Sequence, residues 1–468
     1  MHFNSLVFFL FFFLVYLIYW SISKLKNLNY SNSFILISSY IFYSFWDWRF
    51  LILIFLSSIS DYFIGNKIYN SKTFRHKKKL LILSLFLNLG LLFIFKYFNF
   101  FISSFSEFLN IRDSFSIYII LPVGISFYTF QTLSYTIDIY KNQLKPTNNI
   151  ISFLSFVSFF PQLVAGPIER ASNLLPQFNS LRKYNFKNTL NGFSLISYGL
   201  FKKIVIADRL GLYVDSVFNN VEAFNSLALI IASVFFSFQI YCDFSGYSLI
   251  ARGLAKLLGF ELMVNFKRPY LSSSFREFWR KWHISLSTWF RDYLYIPLGG
   301  SNDTFLKVCY NLFIVFIISG LWHGANWTFI LWGFFHVLFL IIERILKRFS
   351  ILKLISLPKI LKILTVFLIV NFLWVFFRAQ SIDEAILFFN KILELDFSLN
   401  QNIIFAYKGP VNLILSIMLI IFLLVSYCLP NDLNFKKPNT HLLFNFILIL
   451  VILFLGINGQ NEFIYFQF

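Results

Sequence analysis

Apolar residues in this chain come in runs of helix length, and polar residues come as short interruptions between them. Leu6 to Trp20, Phe34 to Phe45, Phe50 to Gly65, Leu80 to Phe101 and Ile117 to Tyr140 are the first five runs. Phe193–Phe218, Leu227–Tyr241, Ser245–Val264, Val308–Leu321, Trp327–Ile345, Ile360–Phe377, Val411–Leu429 and Leu442–Ile457 follow. One crossing takes about 20 residues, so the length predicts an all-α, polytopic transmembrane protein of roughly 10–12 spans. The runs are unbroken rather than alternating, which argues against a transmembrane β-barrel. The reading is of a single integral-membrane domain over 1–468, with the informative motifs between about 150 and 345.

Composition agrees. The chain is 58% hydrophobic, 22% aromatic and only 13% charged. A soluble domain is nearer half apolar and a quarter charged, and disorder requires low hydrophobicity. The 40 Lys and Arg against 21 Asp and Glu give +19. In a soluble protein that excess would point to nucleic acid. Here it reads as the cytoplasmic bias of membrane loops, with some contact to anionic lipid, and no nucleic-acid partner is expected. Lys67, Lys72, Arg75, Lys77, Lys78 and Lys79 form the densest basic loop, and Lys24 with Lys26 lies two crossings earlier. Both face the cytoplasm if the N-terminus is outside, in a cytoplasmic membrane. No base precedes Leu6 and no small-residue cleavage site follows Trp20, so a retained helix is expected rather than a signal peptide. Cys242, Cys309 and Cys428 are scattered, without metal-site or disulfide spacing, and read as small apolar side chains. No metal site is expected.

Four stretches are too polar or too broken to face lipid, and such segments must be buried in protein or line a cavity. The first is Phe160-Pro161-Gln162-Leu163-Val164-Ala165-Gly166-Pro167-Ile168-Glu169-Arg170. It reads equally as a surface loop with a Glu-Arg pair or as a re-entrant element. The second, Gln239 to Tyr247, holds Asp243 between two apolar runs. A carboxylate there caps the next helix with Ser245, or it is paired or wet inside the membrane.

The third stretch is Phe275 to Arg291. Read as one helix, it gathers Phe275, Phe278, Trp279, Trp282, Leu286, Trp289 and Phe290 on one face and Arg276, Arg280, Ser287 and Arg291 on another, with His283 at the margin. An interfacial amphipathic helix explains the Arg and Trp. A basic stripe that binds a phosphate-bearing donor explains His283 as well. The fourth is Gly320-Leu321-Trp322-His323-Gly324-Ala325-Asn326-Trp327. Its glycines allow close helix approach, and His323 is either a satisfied buried histidine or a proton-transfer group. His2, His76 and His441 rank lower, and His336 reads as a packing or interhelical hydrogen-bonding residue.

Together these pieces resemble the membrane-bound O-acyltransferase family, above all its bacterial alginate O-acetylation and D-alanyl-transfer branch. The matching segments are PQLVAGPIER at 161–170, DFSGYS at 243–248, LLGFELMVNFKRPYL at 257–271, FREFWRKWHISLSTWFRDYLYIPLGG at 275–300, SGLWHGANWTFILWG at 319–333 and FIYFQF at 463–468. The resemblance runs from about residue 40 to the C-terminus. It implies helices around a catalytic tunnel, with His323 as the buried catalytic histidine and His283 as the second functional one. Asn326, Asp243 and Trp322 are supporting candidates. Arg276, Arg280, Ser287 and Arg291 are candidates for donor binding. Leu249 stands where relatives often carry an acid, a polar contact that Arg252 would have to replace.

The implied chemistry moves an acyl group, most simply acetyl, from a cytoplasmic thioester such as acetyl-CoA or an acyl carrier. The acceptor would be a cell-surface or secreted polysaccharide, alginate-like or peptidoglycan, reached through an extracytoplasmic acetyltransferase partner. No bound cofactor is expected. D-alanyl transfer to a teichoic-acid polymer is the sister reading. A polysaccharide or lipid transporter is the rival of another class, although no internal repeat supports it.

Overall fold

The computed structural model describes residues 1–111, 117–164, 166–349, 357–398, 409–428, 433, 435–457, 463 and 464. Every regular element among them is helical, because inside lipid only a helix satisfies its backbone polar groups within one segment. Among the described residues, eight helical stretches are long and apolar enough to cross a membrane, one of which, Leu28–Asn70, contains two helices. The chain is a multi-pass membrane protein. Not every predicted apolar run is a span-length helix. Residues 117–124 are not helical, broken by Pro122 and by Gly124 at φ +77°, and the helix that follows is only Ile125–Tyr140. It is buried on nearly all sides.

The chain divides into two units. The first comprises Met1–Ile196, Tyr247–Met263 and Lys437–Leu442. Its opening helices are α1 (Leu6–Ser23), α2 (Leu28–Asp47), α3 (Leu51–Asn70), α4 (Phe74–Leu92), α5 (Phe98–Phe108) and α6 (Ile125–Tyr140). Ser5 starts α1 by accepting the Phe8 N–H at 3.2 Å, and Asn27 starts α2 by accepting from Asn29 and Tyr30. Along α1 the buried residues are Phe8, Phe12, Val15 and Tyr19, one helical stripe, while Leu6, Leu10 and Leu14 stay exposed for lipid. The buried Asp61 carboxylate of α3 accepts from Ser84 Oγ at 2.6 Å and Asn88 Nδ2 at 2.7 Å. Asn88 accepts in turn from Ser57 and Thr132. A polar network inside a membrane protein is tolerated when its members are satisfied in this way.

Helices α7 (Ile150–Ser158), α8 (Phe160–Leu163) and α9 (Ala171–Phe178) complete that unit's core. The Pro-rich first stretch is not a surface loop. Glu169 is buried and accepts from the Met263 N–H and from Asn173 Nδ2. Burial pushes its carboxyl up to about 7, while those hydrogen bonds and the charges of Arg252 and Arg170 pull it back. Arg252 therefore answers the acid at Glu169.

The second unit comprises Ser197–Gly246, Val264–Lys436 and Leu443–Phe468. Its helices include the end of α10 (Phe186–Leu200), α11 (Asp208–Phe218), the first part of α12 (Ser226–Leu257), α13 (Phe275–Lys281), α14 (Ile284–Phe290), α15 (Phe305–His323), α16 (Trp327–Arg348) and α17 (Lys359–Arg378). A π-helical turn, Phe201–Ala207, joins α10 to α11. The predicted spans Leu227–Tyr241 and Ser245–Val264 are one helix of 32 residues. Asp243 thus lies inside a helix and is not the cap of a new one. Cys242 is buried as an apolar side chain would be, Cys309 is half-buried, and the side chain of Cys428 lies outside the described residues.

Candidate active site

His323 is the last residue of α15, and α16 begins four residues later. The two helices meet backbone to backbone. A methyl group added at Gly320 would overlap the Phe329 carbonyl, and one at Gly333 would overlap the Phe316 carbonyl. The close approach expected of Gly320 is real, and Gly333 supplies its other half. Asn326 caps α16, its Oδ1 accepting from the Thr328 N–H at 3.1 Å while its Nδ2 donates to the Gln380 carbonyl at 2.7 Å. That amide is engaged in holding the turn.

His323 is buried, 3% exposed. Its ring centroid lies 5.1 Å from Trp322, 5.2 Å from Trp332, 5.3 Å from Phe377 and 6.3 Å from His283. His283, 1% exposed, packs against Phe244 at 4.6 Å and Trp322 at 6.0 Å. The structure therefore brings together the two histidines and Trp322. His336, on α16 rather than on a helix continuous with His323, stands behind Trp332 at 4.7 Å.

The expected single helix over 275–291 is two short ones. Ser274 caps α13, its Oγ accepting the Glu277 N–H at 3.1 Å, while the Glu277 carboxylate reaches back to accept the Ser273 N–H at 2.8 Å. The helix stops at extended Trp282, and His283 takes φ +41°, ψ 55° in the left-handed region. For a non-glycine residue that conformation costs of order 1–3 kcal/mol and collects at functional sites. Asn265 holds the break open. Its carbonyl accepts the Ile284 N–H at 2.9 Å, and its side-chain oxygen accepts from Ser285 N and Oγ at 3.2 and 2.8 Å. Burial pushes the His283 imidazole down to about 3, so it is neutral at ordinary pH. Trp282 faces the protein interior rather than lipid. Trp282 is 1% exposed and lies 4.9 Å from Trp374.

The break leaves the basic residues on one cavity. Arg276, Arg280, Ser287 and Arg291 all line a recess of about 410 Å³, whose inner wall includes Trp279, Leu286, Val315, Phe316 and Ser319. Ser319 is one turn before His323 on α15. A wider chamber of about 810 Å³ shares Arg276, Arg280 and Arg291 and adds residues from the far ends of α15 and α16. The recess therefore joins cationic and apolar side chains on one lining, which Ser319 shares; neither histidine is on it. Among the described residues, no group of three His, Cys, Asp or Glu stands close enough to hold a metal ion.

Asp243 lies one residue before Phe244, the ring packed on His283. It is buried and pairs with Lys203 Nζ at 2.6 Å, and Lys203 also reaches Asp208 at 2.8 Å. The other carboxylate oxygen of Asp243 accepts the Ile464 N–H at 2.8 Å. Lys202 lies over Tyr198 and Tyr241, 4.8 Å from each ring, and donates to Ser245 Oγ. Sequence reasoning passed over Lys202, Lys203 and Asp208. The available signal was two adjacent lysines inside the predicted span Phe193–Phe218.

Residues 40–382 match the MBOAT, membrane-bound O-acyltransferase, family. The chain is 34% identical to a peptidoglycan O-acetyltransferase of Helicobacter pylori, over 95% of this chain and 92% of that protein. It is 40% identical to a probable alginate O-acetylase, AlgI, of Pseudomonas aeruginosa, over 82% of this chain and 73% of that one. A teichoic acid D-alanyltransferase of Streptococcus thermophilus is 30% identical over 47% of this chain and 56% of its own length.

Proposed function

The chain belongs to the membrane-bound O-acyltransferase family, and we propose that it carries acetyl from a cytoplasmic thioester across the cell membrane for O-acetylation of a cell-surface polysaccharide. O-acyl transfer itself follows from the family. The observation that carries the rest is the recess that gathers Arg276, Arg280 and Arg291 with apolar side chains and with Ser319, one turn before His323. A phosphate-bearing donor has its charge at one end and its thioester at the other, and the recess lining offers both cationic and apolar side chains.

In this reading His323 accepts the proton of the acceptor hydroxyl as its oxygen attacks the thioester carbonyl. The new C–O bond forms, the carbonyl becomes an oxyanion, and the C–S bond then breaks. The departing thiolate takes the proton back from His323. Neutral His283 and the Trp322 indole N–H are the candidate donors to the oxyanion, and a dry site magnifies their effect. Lys203 and Asp243 position Phe244, and through it His283. Asn326 fixes the α15–α16 turn. Arg276, Arg280, Ser287 and Arg291 hold the donor.

Positive-inside bias puts the basic 67–79 loop in the cytoplasm and the N-terminus outside. It also puts the basic end of α16, next to the recess mouth, on the cytoplasmic side, where acyl thioesters are made. The second transfer, to a polymer of the alginate or peptidoglycan kind, falls to an extracytoplasmic partner acetyltransferase. The D-alanyl reading has less support. The O-acetylating relatives match over 77–95% of this chain and the D-alanyltransferases over 47–49%.

The test supplies the purified full-length protein with acetyl-labelled acetyl-CoA, and separately with a labelled acetyl-carrier protein, beside membranes that contain the polymer and partner. Label on polymer or partner that disappears in His323→Ala supports the reading. Transfer of D-alanine but not acetyl would replace it.

A further inference from the structure

Four residues of α15 line the recess: Leu312, Val315, Phe316 and Ser319. Steps of three and four keep them on one helical face, and the next positions of that face are Trp322 and His323. The glycine seam fixes the rotation of α15 about its own axis, since Gly320 has the Phe329 carbonyl against it. Ser319 is 6% exposed and is the last lining residue before His323, which is not itself on the lining.

The Ser319 hydroxyl behaves differently from those of other buried serines in this protein. A serine inside a helix can fold back on the carbonyl one turn earlier. Ser58, Ser158, Ser194 and Ser237 do so, at 2.6, 2.7, 3.1 and 3.2 Å. Among the described residues Ser319 makes no such bond and no other side-chain hydrogen bond. A buried hydroxyl without a partner costs about 1–3 kcal/mol. Leu312, Val315 and Phe316, the rest of its stripe, offer no polar side chain. The partner of Ser319 is then a group that enters the recess.

We infer that Ser319 is a further catalytic residue, its Oγ–H donating to the carbonyl oxygen of the acyl thioester. The inference rests on the acyl-transfer reading above and deepens it, adding a donor on the recess wall to the candidates His283 and Trp322. The reacting end of an acetyl thioester has one strong hydrogen-bonding atom, the carbonyl oxygen, which accepts and cannot donate. A serine hydroxyl is a matching donor. Positions four apart on one helix face have Cβ atoms about 5–6 Å apart, which leaves room for the carbonyl carbon and the attacking oxygen between Ser319 and His323. As the acceptor oxygen bonds to that carbon, charge gathers on the oxygen that Ser319 holds, and the hydrogen bond strengthens toward the transition state. The C–S bond then breaks and the carbonyl re-forms. Ser319 keeps its proton throughout and forms no ester.

The probes are two unreactive relatives of acetyl-CoA, titrated by calorimetry into the full-length protein in nanodiscs. One is the ketone with CH2 in place of sulfur, which keeps the carbonyl and cannot transfer acetyl. The other is S-ethyl-CoA, which has CH2 in place of the carbonyl. The wild type should bind the ketone about tenfold more tightly, and Ser319→Ala should bind both alike, with its affinity for S-ethyl-CoA unchanged. In turnover of labelled acetyl-CoA the same variant should lose about 10²-fold in kcat. A ketone preference that survives in Ser319→Ala, no preference in the wild type, or no binding of either probe overturns the inference. An equal loss of both affinities in the variant also overturns it, since Ser319 would then be structural. So does labelled acetyl found on Ser319 by mass spectrometry, which would make the serine a nucleophile. A ketone preference that depends on Ser319, without any acetyl transfer, would sink the acetyl reading and leave the Ser319 contact standing.

Discussion

The second unit holds two sets of charges that obey the same physics with opposite outcomes. Lys203 with Asp208 and Asp243 is sealed, with side chains 9%, 4% and 3% exposed, and each charge has its opposite within 3 Å. Arg276, Arg280 and Arg344 are wet and unmatched on the wall of a chamber. A desolvated charge is costly unless compensated. Where the chain supplies the compensation, the charge helps fix a helix, here α12 beside the histidines. Where it withholds compensation, the charge awaits a ligand. A count of Lys and Arg along the chain cannot separate the two, but partner geometry can.

Breaking the catalytic end should have the largest effect. Replacing His323 by Ala is expected to lower acetyl transfer by about 10²–10⁴-fold, the usual worth of a positioned general base, with the thermal unfolding midpoint in detergent nearly unchanged. Equal loss of activity and of folded protein would make His323 structural. Breaking the sealed set comes next. Lys203→Met leaves Asp208 and Asp243 facing each other without a cation, at a cost of about 3–5 kcal/mol, read as a lowered unfolding midpoint. The pairing is wrong if that variant unfolds like wild type.

Gly320→Ala pushes a methyl into the Phe329 carbonyl. It should cost about 1–3 kcal/mol through overpacking and lower kcat by displacing His323. A variant with wild-type stability and turnover would mean the helices separate freely. On the wet set, Arg280→Ala should raise KM for the donor about tenfold at unchanged kcat, the mark of binding that is equal in ground and transition states. A fall in kcat alone would move Arg280 into the chemistry.

The smallest effect belongs to Glu277. Burial raises its carboxyl, but Lys281 and Ser273 outweigh that and hold it down to about 2. Its folded value lies below the ordinary one, so its contribution is present above pH ~4.3 and fades as pH falls toward 2. The group is partly exposed, so no more than about 1 kcal/mol is at stake. Glu277→Gln should flatten the acid limb of stability by that amount, and an unchanged limb would show the pair to be inert.

Much of the site was legible in the sequence because its chemistry is dense and local. The recess lining includes Arg276, Arg280, Ser287 and Arg291, all picked from one seventeen-residue stretch. The break at His283 was hidden, since neither glycine nor proline marks it and its support comes from Asn265, eighteen residues away. The polar interval at 239–247 suggested a gap between two spans. It is helix throughout because Lys203 neutralises Asp243 from another segment. Arg344, Lys347 and Arg348, at and beyond the end of the predicted span Trp327–Ile345, carried no signal in the sequence; they share a chamber with Arg276, Arg280 and Arg291, far behind in the chain.

The glycine seam between α15 and α16 has a consequence for how such an enzyme diversifies. At Gly320 and Gly333 the neighbour is backbone, so a side chain added there cannot be absorbed by a change of rotamer. A substitution at Gly320 or Gly333 shifts the catalytic turn itself. Under the proposed donor site, a change of donor would be accommodated at residues 276–291, outside that seam.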